Sequence, residues 1–385
     1  MGNLSDKIIN GIRAVAGQNK LPLHEPKFDK IETQNLIKCI DSSYVSSVGE
    51  YVNIFEKQIA DFTGAKYAIA IVNGTSALHL ALKIIGVEIN HEVICPSLTF
   101  IGTVNAISYL GAKPHFVDCD EKTLGIDPLA LSNWLDAIAI KKDGKTFNKI
   151  TGRIISAIIP MHTYGHPAKI DHILNISREY NLNVVEDAAE ALGSFYKNKH
   201  TGTFGKIGIL SFNGNKIITT GGGGALLTDD EILAKRAKHF STTAKISHEY
   251  RYIHDDIGFN YRLPNINAAL GCAQFKKIED FLNSKRDLFY QYQEVMAPIK
   301  GLRLFQEPEN SKSNYWLQTI ILENGYENQL EEILEKTNKN NIMTRPTWNL
   351  IHQSKMYNEC PKSPLPIAES LAKRIINIPS SAFLI

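Results

Sequence analysis

The sequence has few cysteines, no long hydrophobic segment and almost no net charge, and each absence excludes a class of protein. Its five cysteines are scattered, without the close pairs of zinc or redox sites, so we expect no metal and a reducing, cytoplasmic location. No stretch reaches the ~18 apolar residues of a membrane span. Lys and Arg number 42 against 40 Asp and Glu, so a net charge of +2 gives no general attraction for nucleic acid or anionic membranes.

Strand-like and helix-like segments alternate along most of the 385 residues. Apolar residues at helical spacing begin at Val52, whereas the short apolar runs 67–72 and 182–185 are typical of buried strands. Strands that alternate with helices form parallel sheets covered on both faces, so the predicted fold class is α/β. Ligands of such sheets bind at the carboxyl ends of the strands.

Pro264 marks the predicted change of domain. Proline fits the first turn of a helix, and apolar spacing continues beyond it, which predicts one long helix from Pro264 towards Met296. The predicted organisation is an N-terminal helical segment (1–21), a large domain with a mostly parallel sheet flanked by helices (22–260) and a smaller C-terminal α/β domain (261–385).

Lys216 lies in the most informative stretch, between Ser211 and the four glycines Gly221 to Gly224. A lysine that leaves a strand end beside such permissive backbone can approach a bound cofactor, and its desolvated amine can form a Schiff base. The alternative is a solvated lysine beside a flexible turn, since most lysines are exposed.

The acid pair Glu186 and Asp187 ends the apolar run 182–185, where a parallel strand meets the predicted cleft. A buried carboxylate needs a partner, and a protonated pyridine nitrogen is a suitable one that also makes the ring an electron sink. Alternatively, Asp187 is the N-cap of a helix.

Residues 73–78 lie between a strand and a helix. The N–H groups of a helix start, together with the hydroxyls of Thr75 and Ser76 beside Gly74, form a cradle for an anion such as a cofactor phosphate, and Ser211 offers another hydroxyl. An ordinary helix cap is the alternative.

Phe100, after the next strand, is placed to stack on a flat pyridine ring, although packing in the core is the simpler explanation. Four strand ends thus deliver a phosphate cradle, a ring stacker, a carboxylate and a lysine. One cofactor, pyridoxal 5'-phosphate, requires that set.

These residues resemble the DegT/DnrJ/EryC1/StrS family of sugar aminotransferases, which are fold-type I pyridoxal-phosphate enzymes, and the resemblance covers nearly the whole chain. It is carried by 73–78, 160–167, 186–190 and 258–262. Within the family, the runs 45–49, 213–224, 242–245 and 343–346 are similar to the LegC branch.

The resemblance implies an aminotransferase that takes an amino group from L-glutamate and places it on C4 of UDP-linked 4-keto-6-deoxy-N-acetylglucosamine. The product would serve bacillosamine, legionaminic acid or surface-glycan biosynthesis. The cofactor would alternate between pyridoxal phosphate and pyridoxamine phosphate, with Lys216 moving the protons. Alternatives are a GDP- or dTDP-linked keto sugar, or a non-catalytic regulator that binds the cofactor, which intact Lys216 and Asp187 disfavour.

The family pattern also assigns roles. It makes Lys216 the Schiff-base lysine, Asp187 the partner of the ring nitrogen and Phe100 the stacking residue. Further implied contacts are Gly74, Thr75, Ser76 and Ser211 at the phosphate, Glu190 near the ring hydroxyl, and Asn260 at the phosphate of the neighbouring subunit in a homodimer with shared active sites.

Lys245 and Arg345 are candidate contacts for the diphosphate or the donor carboxylate. Arg345 is able to form a bidentate pair with either group. The alternative for both is a solvated charge or a structural ion pair. A nicotinamide-dependent oxidoreductase is disfavoured, since no Gly-x-Gly-x-x-Gly follows the first strand and residues 221–224 open no convincing helix.

Overall fold

The structure is a computed structural model that describes residues 3–385. Its helices are α1 (Leu4–Ala16), α2 (Lys30–Asp41), α3 (Glu50–Thr63), α4 (Gly74–Ile84), α5 (Ile101–Tyr109), α6 (Pro128–Ile138), α7 (Ile170–Glu179), α8 (Glu231–Ser241), α9 (Asn265–Phe275), α10 (Ile278–Met296), α11 (Leu330–Lys339) and α12 (Pro366–Leu371).

The strands are β1 (Tyr67–Ile71), β2 (Glu92–Pro96), β3 (Lys113–Val117), β4 (Ala139–Lys142), β5 (Lys145–Asn148), β6 (Ile154–Ile158), β7 (Asn183–Asp187), β8 (Phe195–Tyr196), β9 (Lys199–His200), β10 (Ile207–Ser211), β11 (Gly224–Thr228), β12 (Lys245–Ile246), β13 (Ile253–His254), β14 (Leu302–Leu304), β15 (Ser311–Lys312), β16 (Gln318–Leu322), β17 (Arg345–Pro346) and β18 (Ile375–Ile378).

The large sheet has the order β1-β11-β10-β7-β6-β2-β3, and the hairpin of β4 and β5 joins it at β6. The pairs from β10 through β7, β6 and β2 to β3 are parallel, whereas β11 runs antiparallel to both β10 and β1. The predicted α/β class with a mostly parallel sheet is confirmed. Because the parallel strands share a direction, their carboxyl ends lie along one edge, and this edge carries the site.

Short-range signals start several helices. Asp29 accepts a hydrogen bond from the Ile31 N–H and the Glu32 carboxylate accepts one from the Asp29 N–H, so α2 begins with a capping box. Asp127 caps α6, and Pro128 occupies the first helical position. Proline has no N–H group, but an N–H at this position would have no partner within the helix. These ends are fixed by neighbours in sequence.

A second, antiparallel sheet has the order β14-β16-β18-β17. Its apolar side chains share a core with α10, α11 and the N-terminal helix α1, which contributes Leu4, Ile8 and Ile12. The N-terminal helix therefore packs on the C-terminal sheet. Among residues 3–385 no helix combines the length and the apolar character needed to cross a membrane.

The prediction of one long helix from Pro264 to Met296 is wrong. Pro264 lies one residue before α9, and the chain leaves that helix at Lys276 and Lys277, whose N–H groups bond the carbonyls three residues earlier. The break comes before the change of core: Phe275 of α9 and Phe281 of α10 both pack under the large sheet, whereas the end of α10 packs with α1.

The core of the large sheet reaches beyond residue 260. Leu263, Ala268, Cys272 and Phe281 belong to it, and so does Leu371 of α12. The predicted division at residues 260 and 261 stays a prediction.

Glu186 ties a loop to the end of β7. Its buried carboxylate accepts hydrogen bonds from the N–H groups of Gly202, Phe204 and Gly205 at 2.6 to 2.8 Å, and it lies 3.0 Å from the His162 ring. Burial alone would raise the pKa of Glu186, but the bonds from His162 and these N–H groups outweigh burial and lower the pKa. The loop leads directly into β10, so Glu186 holds two central strands in position.

We expect Glu186→Ala to lower the free energy of unfolding by about 3–5 kcal/mol, because it leaves buried donors without a partner. Urea unfolding followed by circular dichroism measures the change. Since the pKa is lowered in the folded state, the contribution of Glu186 is present at neutral pH and is lost as the pH falls. Glu335→Ala, on the exposed side of α11, is the control and should leave the midpoint unchanged. Equal midpoints for both variants would contradict the role of Glu186.

Candidate active site

A cavity of about 330 Å³ opens at the carboxyl ends of β2, β7 and β10. Its volume is within the range of small-molecule sites. Seven of the residues singled out in the sequence line it: Gly74, Thr75, Phe100, Asp187, Glu190, Ser211 and Lys216. The remaining lining residues are Asn73, Leu78, Gly102, Thr103, Met161, Ala189, Asn213, Asn215, Trp316 and Trp348.

The start of α4 faces the end of β10 across one corner of this cavity. Asn73 caps the helix by accepting a hydrogen bond from the Ser76 N–H at 2.8 Å, so an ordinary cap and an anion cradle coexist here. A Cβ at Gly74 would lie 3.2 Å from the Cβ of Ser211, so glycine lets the two segments approach closely. The first-turn N–H groups and the hydroxyls of Thr75 and Ser211 meet at this corner.

Asp187 is almost fully buried on the cavity wall. Its carboxylate accepts hydrogen bonds from the Thr103 hydroxyl at 2.7 Å and from the Ala189 N–H at 3.2 Å. Burial raises the pKa of Asp187, although these two bonds and the charge of Lys216 oppose the change. The chain forms turns after Asp187, so the alternative of a helix cap is wrong.

Lys216 reaches the cavity from the turn after β10, with only 14% of its side chain exposed. Its Nζ lies 3.3 Å from an Oε atom of Glu190 and 3.7 Å from the centre of the Trp316 ring. The alternative of a solvated surface lysine is therefore wrong. Burial raises the pKa of Glu190 to about 7, against the opposing effects of Lys216 and of the Tyr164 N–H.

Phe100 stands at the mouth of the cavity with about half of its side chain exposed, so it is not a core residue. Its ring meets Trp348 edge to face at 6.4 Å. A Cβ at Gly102 would lie 2.7 Å from the Thr75 hydroxyl and 3.0 Å from the Phe100 ring, so glycine there lets the ring lie close to the phosphate corner.

Four predicted residues do not line this cavity. Ser76 gives its N–H to Asn73, and Asn260 accepts hydrogen bonds from Arg262 on an exposed segment. The Lys245 amine lies over the Tyr252 ring at 4.4 Å, and Arg345 donates to Asn338 and to a backbone carbonyl. In a single copy of the chain, Lys245 and Arg345 therefore fit the alternative interpretation, in which both are exposed charges with local partners.

Sequence reasoning missed several lining residues, above all Thr103, Trp316 and Trp348. Thr103 had a usable signal, because it lies one helical turn after Thr99 at the same strand end as Phe100. Trp316 and Trp348 come from the C-terminal part of the chain and carry no local motif.

The fold and this site define a class: an α/β enzyme with a buried lysine, a buried carboxylate and a helix-start anion cradle around one cavity. The profile of the DegT/DnrJ/EryC1/StrS aminotransferase family matches residues 26–384, and the chain belongs to that family.

Relatives and solved structures are similar over nearly their whole length. A GDP-perosamine synthase of Escherichia coli O157:H7 is 38% identical over 94% of this chain and 93% of that protein. EpsN of Bacillus subtilis, a putative pyridoxal phosphate-dependent aminotransferase, is 35% identical over 94% of this chain and 91% of its own. The structure of PseC of Helicobacter pylori, an aminotransferase involved in the biosynthesis of pseudoaminic acid, matches with a TM-score of 0.84 at 25% identity, covering 94% of both chains. The predicted class, a pyridoxal-phosphate-dependent sugar aminotransferase, is confirmed.

The side chains of the cavity fit this cofactor. Asp187 is a buried acid whose hydrogen-bond partners are a hydroxyl and an N–H group, which leaves room for a cationic partner such as a protonated ring nitrogen. The corner at Gly74 is a helix start of the kind that binds phosphate. Lys216 offers the amine, and an exposed aromatic face at Phe100 offers a surface for a flat ring.

We expect Thr103→Val to weaken cofactor binding about tenfold, because Asp187 loses a hydrogen bond that keeps it ionised. The loss raises the pKa of Asp187 further, so the weakening should be larger at pH 6 than at pH 8.5. Titration of the apoenzyme with pyridoxal phosphate measures the dissociation constant. Thr337→Val removes a buried hydroxyl from α11 and should leave this constant unchanged. Equal weakening, relative to the unmodified enzyme, at pH 6 and pH 8.5 would contradict the coupling.

Proposed function

We propose that this enzyme transfers the amino group of L-glutamate to the C4 keto carbon of a nucleotide-linked 4-keto-6-deoxy sugar, with Lys216 as the group that moves protons. One observation carries the proposal: the buried amine of Lys216 shares a cavity with the carboxylates of Asp187 and Glu190 and with a helix start. When bound, pyridoxal phosphate supplies an electron sink for the carbon next to the transferred nitrogen.

Each wall of the cavity has a proposed task. Asp187 holds a proton on the ring nitrogen by ion pairing, while Phe100 fixes the plane of the ring. Gly74, Thr75, Ser76 and Ser211 hold the phosphate, and the Glu190 carboxyl lies near the ring hydroxyl. These roles are supported by the positions of six of these residues on the cavity and rest on the family pattern for Ser76.

Lys216 is suited to both directions of the reaction. The free amine takes the α-proton from the donor. The resulting ammonium then returns a proton from the same side of the cavity. Burial shields Lys216 from bulk water, and Glu190 beside it, with its pKa near 7, gives the amine a partner that itself changes charge near neutral pH. The keto sugar then requires the same proton movements in reverse order.

Two nucleotides have separate support. The motifs similar to the LegC branch favour a UDP-linked N-acetyl sugar, whereas similarity to a GDP-perosamine synthase favours a GDP-linked sugar. Both substrates present the same C4 ketone to Lys216, so the chemistry at the cavity is common to them.

We also propose a reducing cytoplasm as the location, because all five cysteines are unpaired.

Purified enzyme with L-glutamate should aminate at least one member of a panel of UDP-, GDP- and dTDP-linked 4-keto-6-deoxy sugars, scored by the mass of the amino sugar. Lys216→Ala should lower the turnover number by about 10²–10⁴-fold, because it removes the acid–base group. Thr337→Val is the stability control. Amination of no panel member would refute the substrate class, and full turnover by Lys216→Ala would refute the lysine.

A homodimer with shared active sites is also proposed. The segment around Asn260 exposes large side chains to solvent, with Tyr250 at 73%, Tyr252 at 83% and Ile257 at 80%. Exposed apolar side chains concentrated in one segment are typical of an interaction surface. A second copy packed there would bring Asn260 and Lys245 to the neighbouring cavity.

Complementation tests the shared site. Lys216→Ala and Asn260→Ala should each be impaired alone, but their co-expressed mixture should regain about a quarter of the wild-type activity, since each mixed dimer contains one intact site. Mixing Lys216→Ala with Asp187→Ala is the control: both residues line the cavity of their own chain, so each site of a mixed dimer lacks one of them and no activity should return. Recovery in neither mixture would contradict Asn260 acting across the dimer.

A further inference from the structure

The amine of Lys216 lies between two side chains that suit a cation. The Trp316 indole presents its face at 3.7 Å from Nζ to the ring centre, and Glu190 presents a carboxylate oxygen at 3.3 Å. Trp316 and Glu190 are both at least nine-tenths buried. We call this pair the lysine cradle.

Hydrogen bonds fix the two halves of the lysine cradle to each other. The buried amide of Asn314 accepts from the Trp316 N–H at 2.8 Å and donates to the backbone carbonyl of Glu190 at 2.9 Å. The indole N–H of Trp316 also donates to the carbonyl of Asn215 at 2.6 Å, next to Lys216 itself. The cradle is therefore built as one unit with the backbone that carries the lysine.

Glu190 is held with one oxygen towards Lys216. Its other oxygen accepts the N–H of Tyr164, whose φ of 55° is in the left-handed region that non-glycine residues rarely adopt. Strain of this kind persists where surrounding contacts determine the backbone, and here the strained residue aims an N–H at Glu190.

An aminotransferase lysine alternates between being bonded to the cofactor and being free. We propose that the lysine cradle is the docking place of the freed Lys216 amine, and that Trp316 is a positioning residue for it. This inference rests on the proposed role of Lys216. An ammonium over a desolvated indole face and beside a carboxylate is strongly stabilised, so the cradle favours the protonated form of the free lysine, which Lys216 reaches by taking the α-proton, over the bonded one. Asp187 is the other carboxylate in electrostatic reach of Lys216, and His24 is a neighbouring imidazole.

Binding of two cofactor forms to the apoenzyme tests the cradle without any turnover. Lys216 is free in the apoenzyme and in the complex with pyridoxamine phosphate, but it is bonded in the complex with pyridoxal phosphate. Loss of the indole face therefore destabilises the first two states and spares the third. Contacts between Trp316 and the cofactor itself would weaken both complexes and cancel in the ratio of their dissociation constants.

We expect the ratio of the pyridoxamine phosphate constant to the pyridoxal phosphate constant to rise about tenfold in Trp316→Leu. Trp316→Phe keeps a weaker aromatic face and should raise the ratio less. Trp134→Phe, which alters a tryptophan that packs on His115 away from the cavity, should leave it unchanged. Absorbance titrations at pH 8, above the pKa of Glu190, provide both constants.

Glu190→Gln is the second variant, since it removes the charge and keeps the shape, and it should also raise the ratio. An unchanged ratio of the two dissociation constants in Trp316→Leu overturns the inference. If that variant does not fold, an unchanged ratio in Glu190→Gln overturns it. Failure to aminate any sugar would refute the proposed function alone, because the ratio needs neither glutamate nor a sugar.

Discussion

Two successive carboxylates at the end of β7 hold the active-site edge together. Side chains alternate along a strand, so Glu186 and Asp187 point to opposite faces of the sheet. Glu186 gathers three N–H groups of the loop that leads into β10, and Asp187 faces the cavity. The strand that places the acid beside the cofactor site thus also fixes the strand from which Lys216 departs. Loss of the Glu186 hydrogen bonds would disturb both β7 and β10.

The sequence was most informative where the signal was local. A helix start after a strand requires only neighbouring residues, so the helix start at Gly74 and Thr75 was predictable, and the alternation of strands and helices predicted the parallel sheet. The roles read from the family pattern remain predictions. The prediction of one long helix failed because apolar spacing continues on both sides of Lys276 and Lys277, where the chain turns, so the pattern contains no signal for the break.

Other parts of the site lay outside the reach of local patterns. Trp316 joins the cavity through Asn314, whose partners Glu190 and Leu192 are more than 100 residues away in the sequence. The family pattern gave Glu190 a role near the ring hydroxyl, but its raised pKa arises only when the folded chain buries it. A sequence lists such residues without the distances that join them.

The same long-range bonds tie the two sheets to each other. Residues 313–318 lead into β16 of the small sheet, yet Asn314 is tied to the turn after β7, and Ser313 is bonded to His166 at 2.9 Å. Hinging of the small sheet about this segment would have to break several buried hydrogen bonds at once, each costly to leave unmade. The Trp316 side of the cavity is therefore held to the turn after β7. At the mouth the packing is looser, because Phe100 and Trp348 meet edge to face and about half of Phe100 is exposed.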